Sequence, residues 1–126
     1  MSKQIIQTKE APAPIGPYNQ AILAGNTLYV SGQIALDAQS MELINENITE
    51  ETHQVMKNLE AILSAAKLGF SDVVKCSIFV KDMNNFSTIN EAYGMYFKAN
   101  PPARETVEVA RLPKDVNVEI SCIAVK

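Results

Sequence analysis

Arg104 and Glu119 are the two residues of this sequence whose types and surroundings invite chemistry. Arg104 follows Pro101, Pro102 and Ala103, and Glu119 interrupts the apolar run Val116, Val118, Ile120, Cys122. An arginine presents a planar fork of donors that matches a carboxylate, and it stays charged even where solvation is poor. A glutamate with apolar neighbours loses solvation, which raises its pKa and suits it to proton transfer. Together they would clamp a small carboxylic acid at Arg104 while Glu119 positions or deprotonates a water. An ordinary Arg–Glu pair across a sheet fits the spacing equally well.

The elements that must position this pair are two alternating stretches. Arg104, Thr106 and Glu108 alternate with Ala103, Glu105, Val107 and Val109. Val116, Val118, Ile120, Cys122 and Ala124 alternate with Asn117, Glu119, Ser121 and Ile123. Period-two alternation marks half-buried strands, and Leu112-Pro113-Lys114-Asp115 supplies turn residues between them. If the two strands pair with Ala110 facing Val116, Glu119 lies opposite Val107, about 10 Å along the strand from Arg104. A different register, or a junction between subunits, would shorten that distance.

Upstream, residues 4–8 form a short strand candidate. Ala11-Pro12-Ala13-Pro14-Ile15-Gly16-Pro17-Tyr18 can be neither helix nor central strand, because three prolines fix φ and remove donors. Composition favours a surface connector; the sharper alternative is a stiff loop holding Tyr18 at a pocket edge. Residues 20–24 and 27–31 read as a hairpin whose Gly25-Asn26 connection suits a type II′ turn. Ser31-Gly32-Gln33 ends it, and Gly32 marks either a bulge or the close approach of a ligand or another backbone. Residues 34–48 lack a period and read as a loop. Thr49 is the expected N-cap of a helix, with Glu50 and Glu51 at its positive end. Val55, Met56, Leu59, Ile62, Leu63 and Ala66 form its stripe, Lys67 lies in its last turn and Gly69 closes it. Residues 72–81 alternate as a strand with Val74, Cys76, Ile78 and Val80 on one face. Residues 83–98 form a second helix carrying Phe86, Ile89, Tyr93 and Tyr96/Phe97 on one side. Gly94 inside it costs about 1 kcal/mol, and Asn100-Pro101-Pro102 stops it. The order β-ββ-α-β-α-ββ implies an α+β sandwich, a mixed or antiparallel sheet with two helices on one face. Its helix-free face, polar with Phe79 among its residues, is either solvated or covered by another subunit.

The 126 residues suit one domain, spanning 1–126, and 47% hydrophobic with 20% charged residues is a globular composition. A net charge of −3 with scattered Lys and Arg argues against nucleic acid, which requires a dense basic patch. No signal-peptide pattern or membrane-spanning run is read, so a cytoplasmic protein is expected. Cys76 and Cys122 lie on apolar phases and read as small buried hydrophobes rather than a disulfide or metal ligands. His53, the sole histidine, has no nucleophile motif beside it and reads as a solvated helix position. Phosphate loop, HExxH, CxxC and GxSxG motifs are absent.

Six short segments in order resemble the RidA (YjgF) family of reactive-intermediate deaminases, almost end to end. They are Ala13-Pro14-Ile15-Gly16-Pro17-Tyr18, Ser31-Gly32-Gln33, Val80-Lys81-Asp82-Met83, Pro102-Ala103-Arg104, Val107-Glu108-Val109-Ala110-Arg111-Leu112-Pro113 and Val118-Glu119-Ile120. The resemblance implies a chorismate-mutase-like fold assembled as a homotrimer, with sites in the clefts between subunits. It also implies cofactor-free hydrolysis of 2-imino acids, such as 2-iminobutanoate and 2-iminopropanoate, to 2-oxo acids and ammonia. By position, Arg104 binds the substrate carboxylate and Glu119 holds or activates water. Tyr18, Gly32 and Asn90 line the cleft, with Ser31 and Gln33 nearby. Thr106 stands where many relatives carry Cys, which excludes a thiol mechanism there. The segment before Arg104 is shorter than in some relatives, so the cleft rim differs. The competing expectations are a regulatory trimer binding 2-oxo acids without turnover and, disfavoured by charge, an endoribonuclease or translation inhibitor.

Overall fold

Apolar residues at every second position along Cys76–Val80 and Val118–Ala124 are buried on one side only, so these strands need a cover on that side alone; Val74, expected on that face, is exposed, and Val73 is buried instead across a bulge. The computed structural model describes residues 2–126 and supplies that cover as two helices. The elements are β1 (Lys3–Ile6), β2 (Ala21–Ala24), β3 (Thr27–Gln33), α1 (Ile48–Ala65), β4 (Val73–Val80), α2 (Phe86–Gly94), β5 (Ala103–Glu108) and β6 (Val118–Val125). They build one six-stranded sheet in the order β1-β2-β3-β6-β4-β5, antiparallel except for the parallel pair β4–β5. Val55, Met56, Leu59, Ile62 and Leu63 of α1 are fully buried in the core, as are Leu28, Ile78, Val80, Val118 and Ile120 from the sheet. The α+β sandwich with both helices on one face is therefore as expected, and so is the β2–β3 hairpin. Gly25 adopts φ 62° while Asn26 keeps a negative φ, as a type II′ turn requires.

The C-terminal strands differ from the expected hairpin. β5 does not pair with β6; both flank β4, with Val107 and Glu119 each opposite Phe79. Burial explains the arrangement. β6 carries four residues buried at 3% exposure or less and takes a central place, whereas β5, with Glu105 and Glu108, suits an edge. The β4–α2–β5 segment is a parallel crossover, and the chain from 109 to 117 then carries β6 back between β3 and β4. Leu112 and Val116 pin that connection into a small second cluster with Ile34 and Leu36.

Helix ends also differ. Asn47, not Thr49, caps α1, its side chain accepting the Glu50 N–H at 2.8 Å. Gly69 does not close α1. Lys67 takes the left-handed conformation at φ 61°, with Leu68 N–H donating to Leu63 C=O at 2.9 Å, a Schellman closure that normally uses Gly. Lys67 is exposed, so Lys67→Gly is expected to stabilise the protein by about 1 kcal/mol, and Lys67→Ala not at all, read as the urea midpoint at unchanged slope. The second helix is shorter than expected. A 3₁₀ turn at Met83–Asn85 precedes it, and Gly94 is its last residue, where the interior penalty does not apply. Tyr96 and Phe97 lie beyond it yet still pack on the core.

Candidate active site

The cleft of interest lies where the Pro-rich loop, the end of β3 and the start of β6 meet. It has a volume of about 380 Å³ and is lined by Tyr18, Ser31, Gly32, Gln33 and Glu119, with Pro12, Ile34 and Pro113 among its apolar walls. Five of the residues named from sequence thus converge in one protomer. β3 shifts register between Val30 and Gln33, so Gly32 sits in a bulge that is also a close approach. A Cβ built on Gly32 would lie 2.9 Å from Glu119 Cδ and closer still to its Oε2.

Buried polar side chains hold the walls. Gln20, 3% exposed, donates to the carbonyls of Thr8, Ala11 and Pro12 and accepts the Thr8 N–H, fixing the Pro-rich loop. Tyr18 Oη accepts the Ile15 N–H at 3.3 Å. Ser31 Oγ donates inward to Asn19 C=O at 2.6 Å, so its proton is committed to the scaffold. Asn58 of α1 donates to Ile34 and Leu36 carbonyls, both at 3.0 Å, and fixes the loop after β3. Glu51 of α1 is fully buried and accepts Asn117 N–H at 2.8 Å and Asn117 Nδ2 at 2.7 Å, two residues before Glu119. The roles of Gln20, Asn58 and Glu51 do not follow from the sequence pattern. Glu51 was assigned only to the helix dipole, and nothing local marks Gln20 or Asn58.

Glu119 is half-buried and has no hydrogen-bond or ion-pair partner among the described residues. Burial therefore pushes its carboxyl above the ordinary carboxylate range. A raised carboxyl binds its proton more tightly in the folded state, so that stabilisation is lost as pH rises through the folded pKa. Glu119→Gln is accordingly expected to raise Tm near neutral pH and to leave it unchanged in acid, where both side chains are neutral. Thermal unfolding across that range tests the strain directly.

Arg104, Asn90 and Thr106 do not join this cleft. Arg104 is the register partner of Cys76 and Glu119 that of Phe79, three residues apart on β4, so the two side chains leave opposite faces of the sheet. Two strand spacings and three residues put their Cα atoms roughly 14 Å apart, farther than a hairpin would. The Arg–Glu pair across the sheet, which the spacing also allowed, is absent within one protomer. Arg104 instead turns to α2, where Nη1 donates to Asn90 Oδ1 at 2.7 Å and Cζ lies 5.0 Å from the Tyr93 ring centroid. Thr106 Oγ1 is buried without a hydrogen-bond partner.

The remaining sequence candidates resolve simply. Cys76 and Cys122 are buried free thiols facing each other across β4 and β6, and burial raises both. His53 Nδ1 pairs with Tyr96 Oη at 2.9 Å and is not a free solvated position. Among the described residues, no three His, Cys, Asp or Glu cluster to hold a metal, and no helix is long and apolar enough to cross a membrane.

A two-helix, six-stranded sandwich with a carboxylate-bearing cleft beside a Gly bulge defines a recognisable class of protein. The family described as Endoribonuclease L-PSP matches residues 8–126. A RutC family protein of Synechocystis is 55% identical over 127 residues, covering 99% of this chain and 98% of that one. The human 2-iminobutanoate/2-iminopropanoate deaminase is 44% identical, covering 98% of this chain and 90% of its own length. The crystal structure of E. coli TdcF with bound serine superposes with a TM-score of 0.94 at 41% identity, covering 98% of each chain. The chain belongs to this family, the YjgF/RidA family of the sequence resemblance.

Proposed function

We propose that this protein hydrolyses 2-imino acids, with 2-iminobutanoate and 2-iminopropanoate as the reference substrates, in a site completed between copies of the chain. The observation that carries this reading is the unpartnered, half-buried Glu119 in a cleft that contains no cation. Arg104 is its counterpart, a guanidinium on an edge strand with no carboxylate partner among the described residues. Each is half of a clamp-and-base site, and a neighbouring copy can bring Arg104 of one chain to Glu119 of the next. The helix-free face favours such assembly, since Tyr29 and Val107 stand 51% and 41% exposed on it. We assign the assembly as the homotrimer implied by the resemblance.

In this site Arg104 forks onto the substrate carboxylate and orients C2 toward Glu119. Glu119 takes a proton from water as its oxygen bonds to C2 of the iminium, forming a carbinolamine. It returns that proton to nitrogen, and as the C–N bond breaks the carbinolamine hydroxyl gives its own proton to Glu119 while C=O forms, releasing ammonia and the 2-oxo acid. The human relative's name supports this substrate class.

A second reading, binding of small carboxylic acids without turnover, is favoured by the serine bound to the E. coli relative. An RNA-cleaving reading lacks a basic groove at net charge −3. Coupling the protein to a threonine dehydratase and following 2-oxobutanoate release separates them. Wild type is expected to accelerate release, and Glu119→Gln and Arg104→Ala to lose about 100-fold or more. Retained binding of 2-oxobutanoate without any acceleration by wild type would leave the sensing reading in its place.

A further inference from the structure

Phe86, Asn90 and Tyr93 are spaced i, i+4, i+7 and therefore share one face of α2, the face turned to Arg104. Cζ of Arg104 lies 5.7 Å from the Phe86 ring centroid and 5.0 Å from that of Tyr93, both within cation–π range. The hydrogen bond from Nη1 to Asn90 Oδ1, at 2.7 Å, is the one its side chain makes among the described residues. The Tyr93 hydroxyl, by contrast, is buried with no hydrogen-bond partner, a cost that a phenylalanine would avoid. What Tyr93 contributes here is its ring face.

We infer that these three residues form a seat that sets the plane of the Arg104 guanidinium and leaves the rest of its donor fork free for a carboxylate. Asn90 and Tyr93 are positioning residues in this assignment. Asn90, expected from the resemblance to line the substrate cleft, acts through Arg104 instead. A flexible arginine loses side-chain freedom each time it binds, and a guanidinium already held by two rings and an amide has less to lose. The seat thus acts on carboxylate affinity more than on the proton-transfer step, which belongs to Glu119.

This inference rests on Arg104 as the carboxylate clamp, so its test carries one readout that does not depend on catalysis. Four variants suffice: Asn90→Ala, Tyr93→Leu, Tyr93→Phe and Arg104→Lys. Binding of 2-oxobutanoate by calorimetry and steady-state hydrolysis of 2-iminobutanoate are measured beside the ¹⁵N spectrum of the arginine side chains, where Arg104→Lys identifies the Arg104 signals. Asn90→Ala and Tyr93→Leu are expected to raise Kd and KM about tenfold with kcat nearly unchanged, and to release the hindered rotation of the guanidinium. Tyr93→Phe is expected to match wild type in all three.

Asn90 is exposed, so Asn90→Ala reports even where Tyr93→Leu fails to fold. Wild-type affinity together with a still-hindered guanidinium in Asn90→Ala would overturn the seat. Loss of affinity in Tyr93→Phe equal to that in Tyr93→Leu would overturn the assignment to the ring. Wild-type binding by Arg104→Lys would instead remove Arg104 as the clamp, while the rotation of its guanidinium still decides whether the seat exists.

Discussion

Gly32→Ala is expected to cost about 100-fold in kcat/KM for 2-iminobutanoate while the fold survives. The added Cβ would meet Glu119 at Cδ and Cγ, 2.9 and 3.1 Å away, and its Oε2 more closely still. No backbone atom is among those three nearest contacts, and Gly32 does not need a positive φ. The chain can therefore relieve the clash by swinging the flexible carboxylate aside. That costs little stability, and the alanine recovers some of the strand propensity that glycine forfeits. The carboxylate, however, leaves the place where it meets water, and a displacement of about 1 Å is enough for a 100-fold loss. Because both changes act on the same group, Gly32→Ala added to Glu119→Gln is expected to lower activity no further. Strictly multiplicative losses in the double variant would mean that Gly32 acts on substrate directly. Thermal unfolding within a few degrees of wild type confirms that the fold was retained.

Glu51→Ala is expected to be strongly destabilising, at about 3–5 kcal/mol. Both carboxylate oxygens of this fully buried residue are occupied by Asn117, one by the backbone N–H and one by Nδ2. Removing them leaves two donors unsatisfied below α1 and opens a cavity. Glu51→Gln keeps one acceptor but turns an amide N–H₂ against the other donor, so about half the loss is expected. A total stability of about 5–15 kcal/mol is typical of such chains, so the alanine variant would forfeit a large fraction of it. Denaturant titration measures it, with unchanged slope as the sign that only the native state lost energy. The damage reaches the cleft, because Asn117 anchors the start of β6 just before Glu119 and accepts the Lys81 N–H at 3.0 Å.

Most elements were legible from local pattern because each is dictated by neighbours in the chain. Val55 through Leu63 repeat with the period of a helix, the strands alternate, and Gly25-Asn26 closes a hairpin by its own backbone preferences. The helix ends were less legible. Asn47 competes with Thr49 as a cap, and the left-handed Lys67 defies the usual preference for glycine. Of the candidate site, Tyr18, Ser31, Gly32, Gln33 and Glu119 were named from sequence and do meet in one cleft. Gln20, Glu51 and Asn58 went unread. A buried polar residue differs from an exposed one only by partners 8 to 66 residues away.

The identity of the reactive residue types, the strand and helix periods and the two-layer architecture all reside in the order of side chains, because periodicity is a local property. Which strand lies beside which is not local. Adjacent alternating segments argue for a hairpin, yet burial gave β6 the centre and β5 the edge, with β4 between them. That choice sends Arg104 to the helix face and Glu119 to the other. Only the packed sheet decided this, because each strand takes the neighbours that best cover its apolar face, whatever their distance along the chain.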